Sequence, residues 1–284
     1  MIIYYQLLVR RFFRAPGYFR IFGLWNGLIL LFRIEKNLPP ASAETRQFKV
    51  PGYRHPIYLR DTISDHAIFR QCMVMQQYNI MSFPQNIRLM SYYQESIARS
   101  ETPLIIDCGA NIGLATLWFS ERFPKACIVA VEPNSDNFKL LTKNTEMLGQ
   151  QVTRLNGGIW DKPAKLVITN PEAGASAYQV KEIDVTGDTG LRAYTIDEIC
   201  KMHGVSAPFI VKIDIEGAQG TLFRSNTNWV KNTPLITLEL DDWLLPWSGC
   251  NRSFFSCVSQ YPADYLIKDE SIFYFRDFLA DSGN

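Results

Sequence analysis

Histidine is scarce and dispersed, with three residues at positions 55, 66 and 203. None has the spacing of a metal-ligand pair, which argues against a histidine-built metal centre. The six cysteines at 72, 108, 127, 200, 250 and 257 include no CxxC pair. A chain this long does not need a disulfide framework, so they read as reduced core residues in a cytoplasmic protein. Charge of one sign is also missing: 29 Lys and Arg stand against 28 Asp and Glu. That balance gives no global basic field, and a nucleic-acid partner is not expected. A long apolar run is absent too. The longest uncharged N-terminal stretch, 21 to 32, has twelve residues, whereas a helix crossing a bilayer needs about 18 to 20.

Apolar content is plentiful. At 47% hydrophobic residues over 284 positions, the chain can bury a large core. Its first 36 residues form a distinct segment, in which Arg10, Arg11, Arg14, Arg20 and Arg33 are interleaved with aromatic and aliphatic residues. Two readings stay open: an interfacial helix on anionic lipid, or helices docked on the chain's own core or on a second subunit. "KNLPPASAET" then reads as a linker, because Pro39 and Pro40 stop a helix. The expected organisation is an extension and linker over 1–45 and a main domain over 46–284. Within the latter, 46–100 is a lead-in, 101–245 a cofactor-binding core and 246–284 a hairpin region.

From about residue 100, short β-branched runs alternate with helical patterns. "PLIID", "CIVAVE", "VTRLN", "FIVKID" and "LITLEL" are expected strands, and "KLVIT" adds a hairpin strand. Such alternation predicts a parallel sheet covered by helices on both faces. Ligands of such sheets bind at the carboxyl ends of the strands. Here those positions are Asp107, Glu132, Asn156, Asp214 and Glu239, and four of the five are acidic.

The segment "DCGANIG" places Asp107 directly before a loop that carries Gly109 and Gly113. A nicotinamide dinucleotide would set its pyrophosphate at this turn, where a carboxylate repels it. The middle glycine of the dinucleotide fingerprint is replaced by Asn111. S-adenosylmethionine presents an ammonium and a sulfonium instead, which an acid attracts. Glu132, ending the next strand, is placed to accept the ribose hydroxyls of either cofactor.

"DCGANIG", "VEPN", "LNGGIWD", "TIDEI" and "VKIDIEGAQ" together resemble the FkbM-type methyltransferases, a class I S-adenosylmethionine-dependent family, over roughly residues 60 to 245. The resemblance implies an α/β Rossmann-like class I methyltransferase: a mostly parallel seven-stranded sheet with helices on both faces and an N-terminal helical extension. "DYLIKDESIFYFR" would supply its antiparallel terminal hairpin. O-methylation is implied, with a saccharide, glycan or natural-product hydroxyl as acceptor. By position, Asp107, Gly109, Asn111 and Gly113 resemble the methionine-binding loop and Glu132 the ribose ligand. Asn156 through Asp161 resemble the segment beside adenine, with Ile159 and Trp160 as an apolar wall. Ser176, in a family loop over the site, is a candidate acceptor contact. Gln219 departs from the family's frequent glutamate.

Methyl transfer to a hydroxyl calls for a general base. Asp214 and Glu216, two apart in "KIDIEG", are the candidates, and strand alternation would put both on one face. They could equally hold a divalent metal with Glu239 or Asp241, or form a structural ion pair with Lys212. Trp243 and Trp247 follow the last parallel strand, either as a platform for a sugar face or as core or interface. The rival functions are a nucleotide-dependent oxidoreductase and a non-catalytic cofactor-binding or membrane-docked scaffold. An oligomer stays open.

Overall fold

A computed structural model describes residues 2–36, 44–170, 179–183, 190–242 and 245–277. Contacts divide the chain into two compact units, Met1–Tyr78 and Asn79–Asn284.

The first unit begins with α1, Ile2–Ile34, broken at Gly23, where φ is 74°. That left-handed backbone is open to glycine without a Cβ penalty, and it turns α1 back on itself. Gly27 lies so close to the first arm that a Cβ there would stand 2.8 Å from the Tyr18 carbonyl oxygen. At the base, the buried Glu35 carboxylate pairs with Arg14 at 2.5 Å and accepts from the Tyr18 hydroxyl at 3.1 Å. Arg11 donates to the Glu35 carbonyl at 2.6 Å. The unit is completed by the antiparallel pair β1, Thr45–Phe48, and β2, Ile57–Arg60, then by α2, Ile63–Phe69, and a π-helical turn, Arg70–Val74. Thr62 caps α2 by accepting from the Asp65 amide at 3.1 Å. His66 is buried here, its Nδ1 2.8 Å from the Ile34 carbonyl.

In the second unit the order is α3, Gln85–Ala98; β3, Leu104–Cys108; α4, Leu114–Arg122; β4, Cys127–Glu132; α5, Ser135–Thr145; β5, Val152–Ile159; β6, Lys165–Ile168; β7, Val180–Glu182; β8, Leu191–Tyr194; α6, Ile196–Met202; β9, Ile210–Ile213; α7, Gln219–Leu222; α8, Asn228–Lys231; β10, Leu235–Glu239; α9, Arg252–Val258; β11, Ala263–Lys268; and β12, Ser271–Arg276. All the strands from β3 onward join one sheet in the order β11-β12-β10-β9-β3-β4-β5-β8-β6-β7. The run from β10 through β8 is parallel, and β12 enters antiparallel to both β10 and β11. The seven strands from β11 to β5 are the sheet implied by the resemblance. Three further strands, β8, β6 and β7, extend its far edge.

Every residue of β3 and β9 is buried, as expected for parallel strands covered on both faces, whose sequences are continuously apolar. "TIDEI" is a capping segment: the Thr195 hydroxyl accepts from the Glu198 amide at 3.0 Å and opens α6. The stretch after "KIDIE" holds two single-turn helices, α7 and α8, with Asn226 at φ 55° between them.

Candidate functional site

A cleft lies at the carboxyl ends of β3, β4, β5 and β9. Its walls include Gly109, Asn111, Glu132, Gly157, Ile159, Asp214 and Glu216. Its empty volume, open mouth included, is about 540 Å³. No lysine or arginine is among the described residues lining it.

The loop after β3 forms one wall. Gly109 and Ala110 donate to the Val131 carbonyl at 3.0 and 2.9 Å, pinning the loop across the tip of β4. Gly109 has φ 77°, and a Cβ there would sit 1.8 Å from the Asp214 carbonyl oxygen, so only glycine lets the two loops meet. Gly113, at φ 85°, starts α4 against Leu141.

Asp107 does not face the cleft. It is fully buried, accepts from the Thr116 hydroxyl at 2.6 Å and pairs with Lys212 Nζ at 3.1 Å. Lys212 also donates to the Gly109 carbonyl at 2.6 Å and lies 3.3 Å from Asp214 Oδ2. The sequence-based expectation that Asp107 meets a ligand ammonium therefore has no geometric counterpart here. Its charge is used inside the protein, and Asp214, with about a quarter of its side chain exposed, is the acid turned to the cleft.

Glu132 lines the cleft with each oxygen already accepting one backbone N–H, from Asn111 and from Asn134, both at 2.9 Å. The Asn137 side chain gives it a third hydrogen bond, and since a carboxylate has about four acceptor sites, capacity is left for a ligand hydroxyl. Burial pushes its pKa up to about 7.

Glu216 stands at φ 50°, outside the strand. The strand-alternation argument pairing it with Asp214 therefore fails, since β9 ends at Ile213. Both nevertheless line the cleft, on the turn that follows the strand. Burial first, then the neighbouring Asp214 and Asp241, raise the Glu216 pKa to about 8. Glu239, at the tip of β10, is raised to about 9 by burial, Asp214, Glu270 and Asp241.

Asp241 is held otherwise: its Oδ2 accepts from the Gly217 amide at 2.7 Å and from the Gln219 side-chain amide. This accounts for glutamine at 219, because a carboxylate in its place would have no proton to give Asp241. Among the described residues, no group of three or more His, Cys, Asp or Glu is placed to hold a metal ion.

Of the segment 156–161, Ile159 lines the cleft, together with Gly157 and Gly158, all at the end of β5. Asn156 is exposed and donates to the Glu132 carbonyl at 2.9 Å. Trp160 packs with Leu166, Ala193 and Ala218, and its indole N–H donates to Glu182 at 3.3 Å. Asp161 accepts from the Ser225 hydroxyl at 2.9 Å. None of these last three is on the cleft wall. Ser176 and Trp243 lie outside the described residues. Trp247 is fully exposed, so it is not a core residue. Val131, Pro133, Val180, Ile215 and Ala218 also line the cleft. Sequence reasoning missed them because apolar residues beside a strand tip look the same whether they face a core or a ligand.

A mostly parallel sheet with an antiparallel strand at β12 and a cleft over the β3–α4 turn is the class I methyltransferase fold, whose cofactor is S-adenosylmethionine. Residues 107–245 match the model of the methyltransferase FkbM domain. It is 25% identical over 140 residues to the hexuronic acid methyltransferase AglP of Haloferax volcanii, covering 49% of this chain and 56% of that protein. It is 29% identical over 87 residues to the methyltransferase sdnD of Sordaria araneosa, covering 31% and 27%. The matched stretch thus spans about half of the first relative and about a quarter of the second. Among solved structures, the T. thermophilus 16S rRNA N2 G1207 methyltransferase RsmC, in complex with AdoMet and guanosine, aligns at a TM-score of 0.37 and 13% identity, covering 85% of this chain and 52% of that one.

Proposed function

We propose that the chain is an S-adenosylmethionine-dependent O-methyltransferase acting on a saccharide hydroxyl. The observation that carries this reading is the set of three carboxylates, Glu132, Asp214 and Glu216, on a cleft whose described lining holds no cation. Such a wall suits a cationic donor and repels the pyrophosphate that the oxidoreductase alternative requires.

When bound, S-adenosylmethionine supplies an electrophilic methyl group on a positive sulfur. In this reading Glu132 accepts the ribose hydroxyls, and the glycines at the end of β5 with Ile159 flank the adenine. Asp214, held in place by Lys212, faces the ammonium in the role expected from sequence for Asp107. Glu216 takes the proton of the acceptor hydroxyl as its oxygen bonds the methyl carbon and the carbon–sulfur bond breaks. A carboxyl with a raised pKa suits that task, and general-base catalysis contributes ~10²–10⁴-fold. Glu239 and Trp247 are the remaining candidates for acceptor contact.

The hexuronic acid named for the Haloferax relative makes uronic-acid saccharides the first acceptors to try, beside neutral ones. The test is transfer of labelled methyl from S-adenosylmethionine to such a panel, comparing the natural chain with Glu216→Gln. Product that is lost in the variant supports the reading; donor binding without transfer to any acceptor favours the non-catalytic scaffold. We also infer a cytoplasmic location, supported by six cysteines free of disulfides, and a peripheral membrane contact through residues 1–36.

A further inference from the structure

The second arm of α1, after Gly23, is apolar except for Asn26 and Arg33. Leu30, Leu31 and Ile34 are buried. Leu24, Trp25, Leu28, Ile29 and Phe32 are exposed, at 60, 77, 36, 55 and 51%. Their positions, i, i+1, i+4, i+5 and i+8, lie on one face of a helix. The first arm adds Leu8, Phe12 and Phe13, each more than 60% exposed. Scattered apolar side chains on a surface are ordinary, but a contiguous apolar face marks a place that something covers.

Charge selects the occupant. Residues 1–34 contain five arginines and no Asp or Glu, and Arg20 and Arg33 are exposed. Glu35 compensates Arg10 and Arg14 at the base of the hairpin, so a second copy of the same face would bring Arg20 and Arg33 of both copies together with no further acid from residues 1–34. Lipid phosphates supply that compensation. The arm beyond Gly23 is eleven residues long, or ~16 Å at 1.5 Å per residue, against ~30 Å of bilayer hydrocarbon. No described helix is long and apolar enough to cross a membrane.

We propose that the α1 hairpin is a monotopic membrane insert. The face of Leu24, Trp25, Leu28, Ile29 and Phe32 is immersed in the acyl layer of one leaflet, and Arg20 and Arg33 reach its anionic headgroups. This rests on the peripheral contact inferred above and adds depth to it: the side chains enter the lipid instead of lying on the headgroups.

The full chain is sedimented with phosphatidylcholine vesicles, with and without phosphatidylglycerol. Tryptophan fluorescence is then read with lipids brominated on the acyl chain, for the natural protein and for Trp25→Phe. The expected result is sedimentation with the anionic vesicles, quenching that largely disappears in Trp25→Phe, and binding weakened ~tenfold or more by Ile29→Glu. An unchanged thermal transition in Ile29→Glu shows that the hairpin still folds, since Ile29 is exposed. Sedimentation without Trp25-dependent quenching overturns insertion while keeping the peripheral contact. No sedimentation overturns both. A dimer in lipid-free buffer that Ile29→Glu dissociates assigns the face to a second copy. Methyl transfer in solution is scored separately, so failure of the insert and failure of the enzymatic reading are distinct results.

Discussion

Asp107 on β3 and Lys212 on β9 are directly opposite in register, and their side chains meet at 3.1 Å in the protein interior. Lys212 joins that buried acid to the Gly109 carbonyl and to Asp214, so one ammonium fixes the floor of the cleft and both of its adjoining loops. Removing one partner of a buried pair leaves the other charge uncompensated, at a cost of ~3–5 kcal/mol. Lys212→Met is expected to lower unfolding stability by about that amount in denaturant titration, and to weaken donor binding. Adding Asp107→Asn should recover part of the stability. If Lys212→Met unfolds like the natural protein, the pair does not organise the site.

Glu216→Gln separates chemistry from binding. The amide keeps the shape but cannot take a proton, so turnover is expected to fall ~10²–10⁴-fold while donor affinity, by calorimetry, stays within a few-fold. A variant with undiminished turnover would remove Glu216 from the role of base.

Donor affinity should depend on pH in a known direction. Burial raises Glu132 to about 7 and Glu216 to about 8, so both gain negative charge as pH rises through those values. A cationic donor is expected to bind more tightly over that window, and its demethylated thioether product, which lacks the sulfonium charge, to change less. The stability of the ligand-free protein should move the opposite way. A carboxyl whose folded pKa is raised above its ordinary 4.5 stabilises fully below 4.5 and loses that contribution as pH climbs through the folded value. Denaturation midpoints that rise across the window from 4.5 to about 8 without donor, in the natural protein relative to Glu132→Gln and Glu216→Gln, would contradict this.

Gly109→Ala should abolish donor binding, because the added Cβ would overlap the Asp214 carbonyl oxygen and force the two cleft loops apart. Retained affinity in this variant would mean the loops do not have to meet.

Much of this architecture could be read from residue patterns. β4 occupies the expected "CIVAVE", because a parallel strand covered on both faces must be apolar throughout. β7 and β8 escaped notice: three and four residues long and only partly buried, they carry little hydrophobic signal. The acids at the strand tips were legible as a group, but their directions were not. A strand buried on both faces has no polar alternation to show which way Asp107 points, and its partner Lys212 lies 105 positions away in sequence. The positive φ of Glu216 likewise moved a carboxylate that strand geometry would have placed elsewhere.

The central claim is that the cleft over β3, β4 and β9 receives a cationic methyl donor. Isothermal titration of the purified full chain with S-adenosylmethionine and, separately, with NADH tests it directly. The account predicts saturable binding of S-adenosylmethionine that Glu132→Ala weakens, and no binding of NADH. Tight binding of NADH with none of S-adenosylmethionine would contradict it.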